Sequence, residues 1–244
     1  MISKLRTREQ ILSHFKDGQT IAIGGLANAF MPTELVDLLN ESGVKHLTLL
    51  SLDGSDPGIC ISKLLESGQV DEMYTTHIGM NPIASKLMME GKVKIHLLPI
   101  GTWAEKMRCL GAGLGGFLTQ TGYGTVVGEG KQVITLNGKN YLLEEAFPQP
   151  DISLTRARRC DPMGNCTYHG SGATSHPQVA MAGKLSIVQP DLYCDFSEIS
   201  IDDIKVPAMY IDEIYLPGKD NDEFPLLGPG KKARIMAARA KAVK

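Results

Sequence analysis

The segment Gly111–Thr125, GAGLGGFLTQTGYGT, sets Gly111, Gly113 and Gly116 at the spacing of a dinucleotide-binding fingerprint. That fingerprint works where a strand runs into the glycine turn and a helix leaves it, so that a pyrophosphate meets the helix N-terminus. Here the order is reversed. The residues before it, Thr102–Leu110 (TWAEKMRCL), have a helical pattern, and the residues after it, LTQTGYGT, are turn-rich or extended. No acidic residue stands at the end of a following strand to hold a ribose, so the dinucleotide reading is set aside. Two readings of the glycines stay open. They permit unusual dihedrals in a packed loop, or they let a long, thin ligand run close to backbone.

The segment divides the chain. Upstream, strand and helix alternate. Thr20–Gly25 (TIAIGG) reads as a short buried strand, and Pro32–Ser42 as a helix with Pro32 suited to its first turn. His46–Leu52 and Val70–Thr75 read as strands, with a helix near Ile61–Ser67 between them. Asn81–Glu90 is a helix capped by Asn81 and followed at once by Pro82. Val93–Pro99 is a strand and Thr102–Leu110 a helix. Consecutive units of this length predict an open, mostly parallel sheet with helices on both faces, an α/β fold. Before them, Thr7-Arg-Glu-Gln10 has the form of a capping box opening a short helix with Ile11, Leu12 and Phe15 inward.

Downstream the pattern changes. Gln132–Leu136 and Asn140–Leu143 flank Asn137-Gly138, which predicts an antiparallel hairpin. Ile152–Ala157, Leu185–Val188 and Met209–Leu216 read as further strands, and His176–Ala182 as a short helix. One domain is therefore expected over residues 1–217. A turn-rich segment and a tail, Lys231–Lys244, with six basic and no acidic residues, follow over 218–244.

With 244 residues, 43% of them apolar, the chain has enough interior for a sizeable core. A net charge of −2 gives no bulk case for nucleic acid or an anionic membrane, and no apolar run reaches transmembrane length. Five irregularly spaced cysteines argue against a disulfide framework and for a reducing compartment. The polar N-terminus lacks signal-peptide character, so a cytoplasmic protein is expected.

The best-placed glycine pair is Gly24-Gly25. It ends the first strand, and GGLANAFMP then leads into a helix. A strand, a glycine turn and a helix N-terminus in an open parallel sheet is where ligands usually bind, and backbone amides there can meet a phosphate or a developing oxyanion. A plain tight turn reads equally well. The usual nucleophile patterns are missing: there is no G-x-S-x-G and no Cys-x-x-Cys. Cys160, Cys166 and His169 fit no common metal spacing. His46 and His96 lie in strand patterns, where a structural role is favoured. Glu129, in Gly128-Glu-Gly-Lys131, is first a solvated turn carboxylate and second a base or nucleophile, and Asp161–Asn165 (DPMGN) is first a turn. The chain thus has binding loops and no convincing reactive group of its own, which points to a nucleophile on another polypeptide.

Several segments together resemble the α subunit of family I coenzyme A transferases, the acetate/acetoacetate and 3-oxoacid group. Gly111–Lys131, GAGLGGFLTQTGYGTVVGEGK, resembles the family block GAGLGGFLTPTGxGTxxxEGK. Ser153–Asn165 (SLTRARRCDPMGN) is similar to the family run ending in D-x-x-G-N, and Gly24–Pro32 stands where the family has GGFxxxGxP, its proposed coenzyme A-binding segment. The resemblance runs from about Leu5 to Pro217.

What it implies is a fold and a mechanism. Each subunit is an open α/β sandwich, and α pairs with β, often as α2β2. A glutamate on the β subunit attacks an acyl-CoA thioester, and CoA passes to a carboxylic acid by covalent, ping-pong steps. Coenzyme A is then a co-substrate and nothing is tightly bound. The partners are a β subunit, a short-chain or 3-oxo acyl-CoA and a carboxylic acid, in acyl-CoA and fatty acid metabolism. The CoA-binding residues carried over are Gly24, Gly25, Leu26, Ala27, Asn28, Ala29 and Phe30. The β subunit's glutamate motif is not found here, so the chain is half an enzyme, with no catalytic nucleophile and no metal.

The chain departs from the family at two places. Leu26 stands for the usual Phe and Phe30 for a glycine, and Phe30 is expected to fill space near the ligand. The family's Asn after the second strand, in S-N-N or A-N-D, helps form the oxyanion hole, whereas here the segment is Ser51-Leu52-Asp53. Losing one such donor costs about 10²–10³ in rate; Asn28 or a backbone amide replaces it, or the substrate differs, or this copy is impaired, and Asn28 is the expected replacement. The basic tail is similar to the segment that opens the second half of fused forms, which suggests docking to the β partner, and a frayed terminus reads as well. A phosphosugar isomerase of the related ribose-phosphate isomerase-like fold and a non-catalytic acyl-CoA-binding protein are the competing functions.

Overall fold

The computed structural model describes residues 3–217, and the turn-rich segment and basic tail expected over 218–244 lie outside the described residues. In chain order the elements are β1 (Leu5–Arg6), α1 (Arg8–Leu12), β2 (Thr20–Ile23), α2 (Thr33–Ser42), β3 (Leu47–Leu50), α3 (Ile61–Glu66), β4 (Val70–Thr75), α4 (Pro82–Met89), β5 (Lys94–Leu97) and α5 (Ile100–Gly111). They continue with β6 (Gly116–Thr119), β7 (Val133–Leu136), β8 (Lys139–Glu145), β9 (Ile152–Cys160), β10 (Cys166–Thr167), α6 (His176–Ala182), β11 (Leu185–Tyr193) and β12 (Glu213–Tyr215).

The local signals account for many of the boundaries. Thr7 and Gln10 form the reciprocal capping box of α1, and the Asn81 side chain accepts from Ile83 N and Ala84 N at the start of α4. Pro32 lies one residue outside α2 as its N-cap, not within the first turn. β9 and β11 run three and five residues past their expected ends because they pair with each other along Leu185–Tyr193. The last strand is shorter than expected. After Pro207 the chain makes a 3-10 turn over Ala208–Tyr210, held by Lys4 Nζ donating to Ala208 O at 2.6 Å, and only Glu213–Tyr215 pairs.

The main sheet runs β1-β12-β11-β9-β2-β3-β4-β5, parallel throughout, with β10 paired antiparallel to β9. Successive side chains of a strand point to opposite faces, and both faces are covered. Ile21 and Ile23 of β2 join Leu47 and Leu49 of β3 in a cluster with Leu35 and Leu39 of α2, Ile61 and Leu64 of α3 and Ala84 of α4. Ala22 and Leu50 face the other way, in a cluster with Trp103 and Met107 of α5 and Val179 and Ala182 of α6. Each fully buried Leu or Ile contributes roughly 1.5–3 kcal/mol through area removed from water. A further cluster around Ala157, Val188, Val206 and Ile214 fills the β9–β12 side.

The opening glycine segment is now explained. α5 ends at Gly111, where a side chain would begin 2.7 Å from Met181 Cβ, so the glycine lets α5 approach α6. Beyond it, β6 leaves the main sheet and joins the hairpin in a small antiparallel sheet of order β6-β8-β7. The hairpin turns at Asn137 (φ 53) and Gly138 (φ 74), the primed geometry that Asn-Gly favours. Glu144 of β8, only 1% exposed, fixes this sheet to the body by pairing with Lys106 of α5 at 3.0 Å and with Lys131.

The order of the sheet places the site. From β2 the chain proceeds outward through β3, β4 and β5. After the small sheet it returns to the other side of β2 as β9 and proceeds through β11 and β12. The reversal lies between β2 and β9, and a crevice opens beyond the carboxyl ends of strands at such a point.

Candidate functional site

Beyond β2 the chain enters a loop whose backbone is forced. Gly25 takes φ 117, closed to side chains, and Ala27 (φ 49), Asn28 (φ 61) and Phe30 (φ 57) are all left-handed. Non-glycine residues in that region cost roughly 1–2 kcal/mol each, so surrounding contacts must hold the loop. They come from three directions. The loop closes on itself, with Ala29 N donating to Leu26 O at 2.9 Å. From the β3 end, the Asp53 carboxylate accepts from Ala27 N. Asn28 and Asp56 are joined twice, with Asn28 Nδ2 donating to Asp56 Oδ2 at 2.6 Å and Asp56 N donating to Asn28 Oδ1 at 3.1 Å.

From the β9 side, Gly25 N donates to Ser175 Oγ at 3.0 Å, and Arg156 Nη1 donates to Met31 O at 3.3 Å. His176 bridges the two. Arg156 N donates to its Nδ1 at 3.2 Å, so the ring proton sits on Nε2, which donates to Phe30 O at 2.8 Å. Burial pushes the His176 pKa down to about 4, so the ring is neutral at ordinary pH.

A small cleft, with about 10 Å³ of room for a water-sized group, lies at the carboxyl ends of β2, β3 and β4. Its wall comes from Ala27 and Asn28, from Asp53–Asp56, and from the segment containing His77, Ile78, Met80 and Asn81. Asn81 ties two of these loops together, with Nδ2 donating to Gly54 O at 2.9 Å while Oδ1 caps α4. Asp53 is 6% exposed, and its Oδ1 accepts from Ser55 N at 2.7 Å.

Of Gly24–Phe30, the residues on the cleft wall are Ala27 and Asn28. Leu26 packs towards the cluster of Trp103. The Phe30 ring points the other way, against Gly172 and beneath the Arg156 guanidinium at 5.5 Å. Leu52, where the family pattern has an amide side chain, is buried in that same Trp103 cluster.

The remaining candidates are dispersed. His46 Nδ1 is 2.8 Å from Asp71, and His96 Nε2 is 2.7 Å from Glu72 with its ring stacked on Tyr74 at 4.2 Å. Glu129 is exposed. Asp161 Oδ1 accepts from the backbone N–H groups of Met163, Gly164 and Asn165, each at 2.9 Å, which is turn chemistry. Cys160 and Cys166 are cross-strand partners, and burial pushes the Cys160 thiol up. Among the described residues no group of three or more His, Cys, Asp or Glu is placed to hold a metal. Sequence reasoning passed over Ser55, Asp56, Ser175 and His176. Its one handle on the last pair was a Ser-His-Pro start to a short helix, which reads as a cap and nothing more.

A switch-point loop with an outlying backbone, facing a small cleft at the carboxyl ends of parallel strands, defines an α/β protein with a candidate ligand site there. The chain belongs to the coenzyme A transferase family, whose model matches residues 6–216. Within it, the chain is a transferase subunit of the alpha type. It is 43% identical to the acetate CoA-transferase subunit alpha of Escherichia coli K12 over 88% of this chain and 97% of that protein. It is 37% identical to the acetoacetyl-CoA:acetate/butyrate CoA transferase alpha subunit of Clostridium acetobutylicum over 88% and 98%. In fold it matches an acyl-CoA transferase of E. coli O157:H7 (TM-score 0.78, 20% identity, 93% of this chain), spanning about half, 48%, of that longer chain. No helix of the described residues is long and apolar enough to cross a membrane.

Proposed function

We propose that this chain forms an active transferase with a β subunit, moving CoA between a short-chain or 3-oxo acyl-CoA and a carboxylic acid. A glutamate of the β subunit attacks the thioester carbonyl, giving an acyl-glutamyl anhydride and CoA thiolate. The thiolate attacks the glutamyl carbonyl, giving a glutamyl thioester and releasing the first acid. The second acid's carboxylate attacks that thioester, and the returning thiolate takes its acyl group and restores the glutamate. One thioester replaces another, so little net driving force is needed. Binding energy from the long pantetheine arm offsets strain at the reacting carbon.

The observation that carries this reading is the Gly24–Phe30 loop, held in a left-handed path at the carboxyl end of β2 beside the cleft. Asn28 stands on that wall with one N–H committed to Asp56, and its amide has a second N–H to offer a developing oxyanion. An α2β2 assembly in the cytoplasm, where the buried free cysteines stay reduced, completes the proposal. The test mixes the purified chain with its β partner, an acyl-CoA and acetate. Turnover in the mixture alone is expected. Acyl exchange by the lone chain, phosphosugar isomerisation by it, or CoA binding without turnover in any pairing would each overturn the assignment.

A further inference from the structure

Resting on the transferase reading above, we propose that Ser175 and His176 are positioning residues for coenzyme A, acting through the Gly24–Phe30 loop and not by touching the ligand. Neither lines the cleft, whereas Ala27 and Asn28 of the loop do. Ser175 is the N-cap residue of α6, where a serine ordinarily accepts from the backbone of its own helix. Here no side-chain hydrogen bond caps α6 among the described residues. The Ser175 hydroxyl, in a residue only 2% exposed, accepts instead from Gly25 N at 3.0 Å, at the point where the loop leaves β2. The capping residue is turned from its own helix to the loop.

His176 holds the other end. β2 still bonds β9 where Gly24 N donates to Leu154 O at 3.0 Å. Two residues further along β9, where β2 has turned away, Arg156 N donates to His176 Nδ1 at 3.2 Å, and Nε2 in turn donates to Phe30 O at 2.8 Å. The ring lies so close to β2 that a Cβ at Gly24 would fall 2.2 Å from Nδ1, so the missing side chain of Gly24 makes room for the imidazole. The two anchors thus grip both ends of a stretch in which Ala27, Asn28 and Phe30 all take the left-handed region that side chains disfavour. Asp53 and Asp56 hold only its tip, at Ala27 and Asn28. Released at either end, such a stretch populates other conformations, and the affinity for a ligand that needs the left-handed path falls in proportion to the fraction still competent. Once coenzyme A is bound it holds the loop itself, so the chemical step changes little.

The test uses the full chain assembled with its β subunit, titrated with CoA in a calorimeter and assayed with acetyl-CoA and butanoate. Ser175→Ala removes one hydroxyl. It should raise the Kd for CoA and the KM for acetyl-CoA together by about 5- to 50-fold, the effect of leaving one buried amide without its acceptor, and lower kcat by less than about threefold. His176→Gln keeps a donor for Phe30 O, whereas His176→Leu loses both hydrogen bonds, so His176→Leu should weaken CoA binding by at least about threefold more than His176→Gln. If His176→Leu fails to fold, Ser175→Ala decides alone. A purely structural role predicts a different result: kcat falls with the fraction of active enzyme while Kd and KM stay put, and that outcome overturns the proposal. Equal weakening by the two His176 variants overturns it as well. A wild-type complex that neither binds CoA nor turns over refutes the transferase reading and this proposal with it. A wild-type complex that does both, matched by Ser175→Ala in Kd and KM, refutes this proposal alone.

Discussion

The imidazole of His176 donates from Nε2 to the carbonyl of Phe30 at 2.8 Å, across a gap of 146 positions in the chain. The other nitrogen is occupied by Arg156 N, and the ring is fully buried and stacked near Tyr168 at 5.9 Å. One neutral side chain thus joins β9 to the left-handed loop after β2. It fixes the carbonyl of a residue held at φ 57, in the left-handed region.

That arrangement makes stability depend on pH in a defined window. The folded pKa of His176 is about 4, below the ordinary 6.5, because burial opposes the charged ring. As pH falls from 6.5, the unfolded chain takes up this proton before the folded one does. The contribution is therefore complete above about pH 6.5 and is lost on descent to about pH 4, on the order of 3 kcal/mol in all. His176→Gln should unfold with a flatter pH profile between 5 and 6.5, read by urea titration of the buried Trp103 fluorescence. Parallel profiles for the two proteins would exclude this role.

A substitution at Gly172 tests the same loop from its far side. A Cβ there would fall 2.8 Å from the Phe30 ring. Gly172→Ala should destabilise by about 1–3 kcal/mol through overpacking. Phe30→Gly should cost stability through lost ring contacts and regain part of it by relieving φ 57. Because the two residues touch, the double variant should be more stable than the sum of the single losses by at least about 0.5 kcal/mol. Simple additivity in thermal unfolding would contradict the contact.

The fold was legible upstream because each parallel strand and its helix announce themselves locally: Asn81 caps, Pro82 starts, Val70–Thr75 begins and ends as read. Boundaries failed where pairing decides them. β9 and β11 lengthen because each completes the other, and nothing near Cys160 or Tyr193 encodes that. The site was half legible. Gly24–Pro32 could be placed from its strand–turn–helix context. Ser175 and His176, about 150 positions away, could not, because a side chain that holds a distant carbonyl leaves no local periodicity. Asp56 was hidden in turn chemistry for the same reason.

Glu144 offers a test of the small sheet. It is buried between Lys106 and Lys131, and Lys106 also lies 5.5 Å from the Phe147 ring. Removing one member of a buried charge cluster leaves the others uncompensated, at about 3–5 kcal/mol when fully buried. Both lysines keep some exposure, at 12% and 26% of their side chains, so about 2–3 kcal/mol is expected for Glu144→Gln. Hydrogen exchange should quicken first in β6, β7 and β8, while β2–β5 remain protected. Uniform quickening through both sheets would mean that the small sheet is not separately anchored.

Asn28 carries the sharpest catalytic test. Its backbone is left-handed, its carbonyl oxygen accepts from Asp56 N, and one amide N–H goes to Asp56 Oδ2. If the second N–H meets the oxyanion, Asn28→Ala in the assembled complex should lower kcat by about 10²–10³ and change KM little, because that contact strengthens only in the transition state. Asn28→Asp keeps the oxygen, loses both donors and sets a carboxylate near Asp56, so it should be at least as impaired. Asn28→Gly separates the roles: it relaxes φ 61 and still removes the amide. Loss of rate in the Ala and Gly variants alike assigns the effect to the donor. Recovery in Gly alone assigns it to the path of the backbone, and full activity in Ala removes Asn28 from the chemistry.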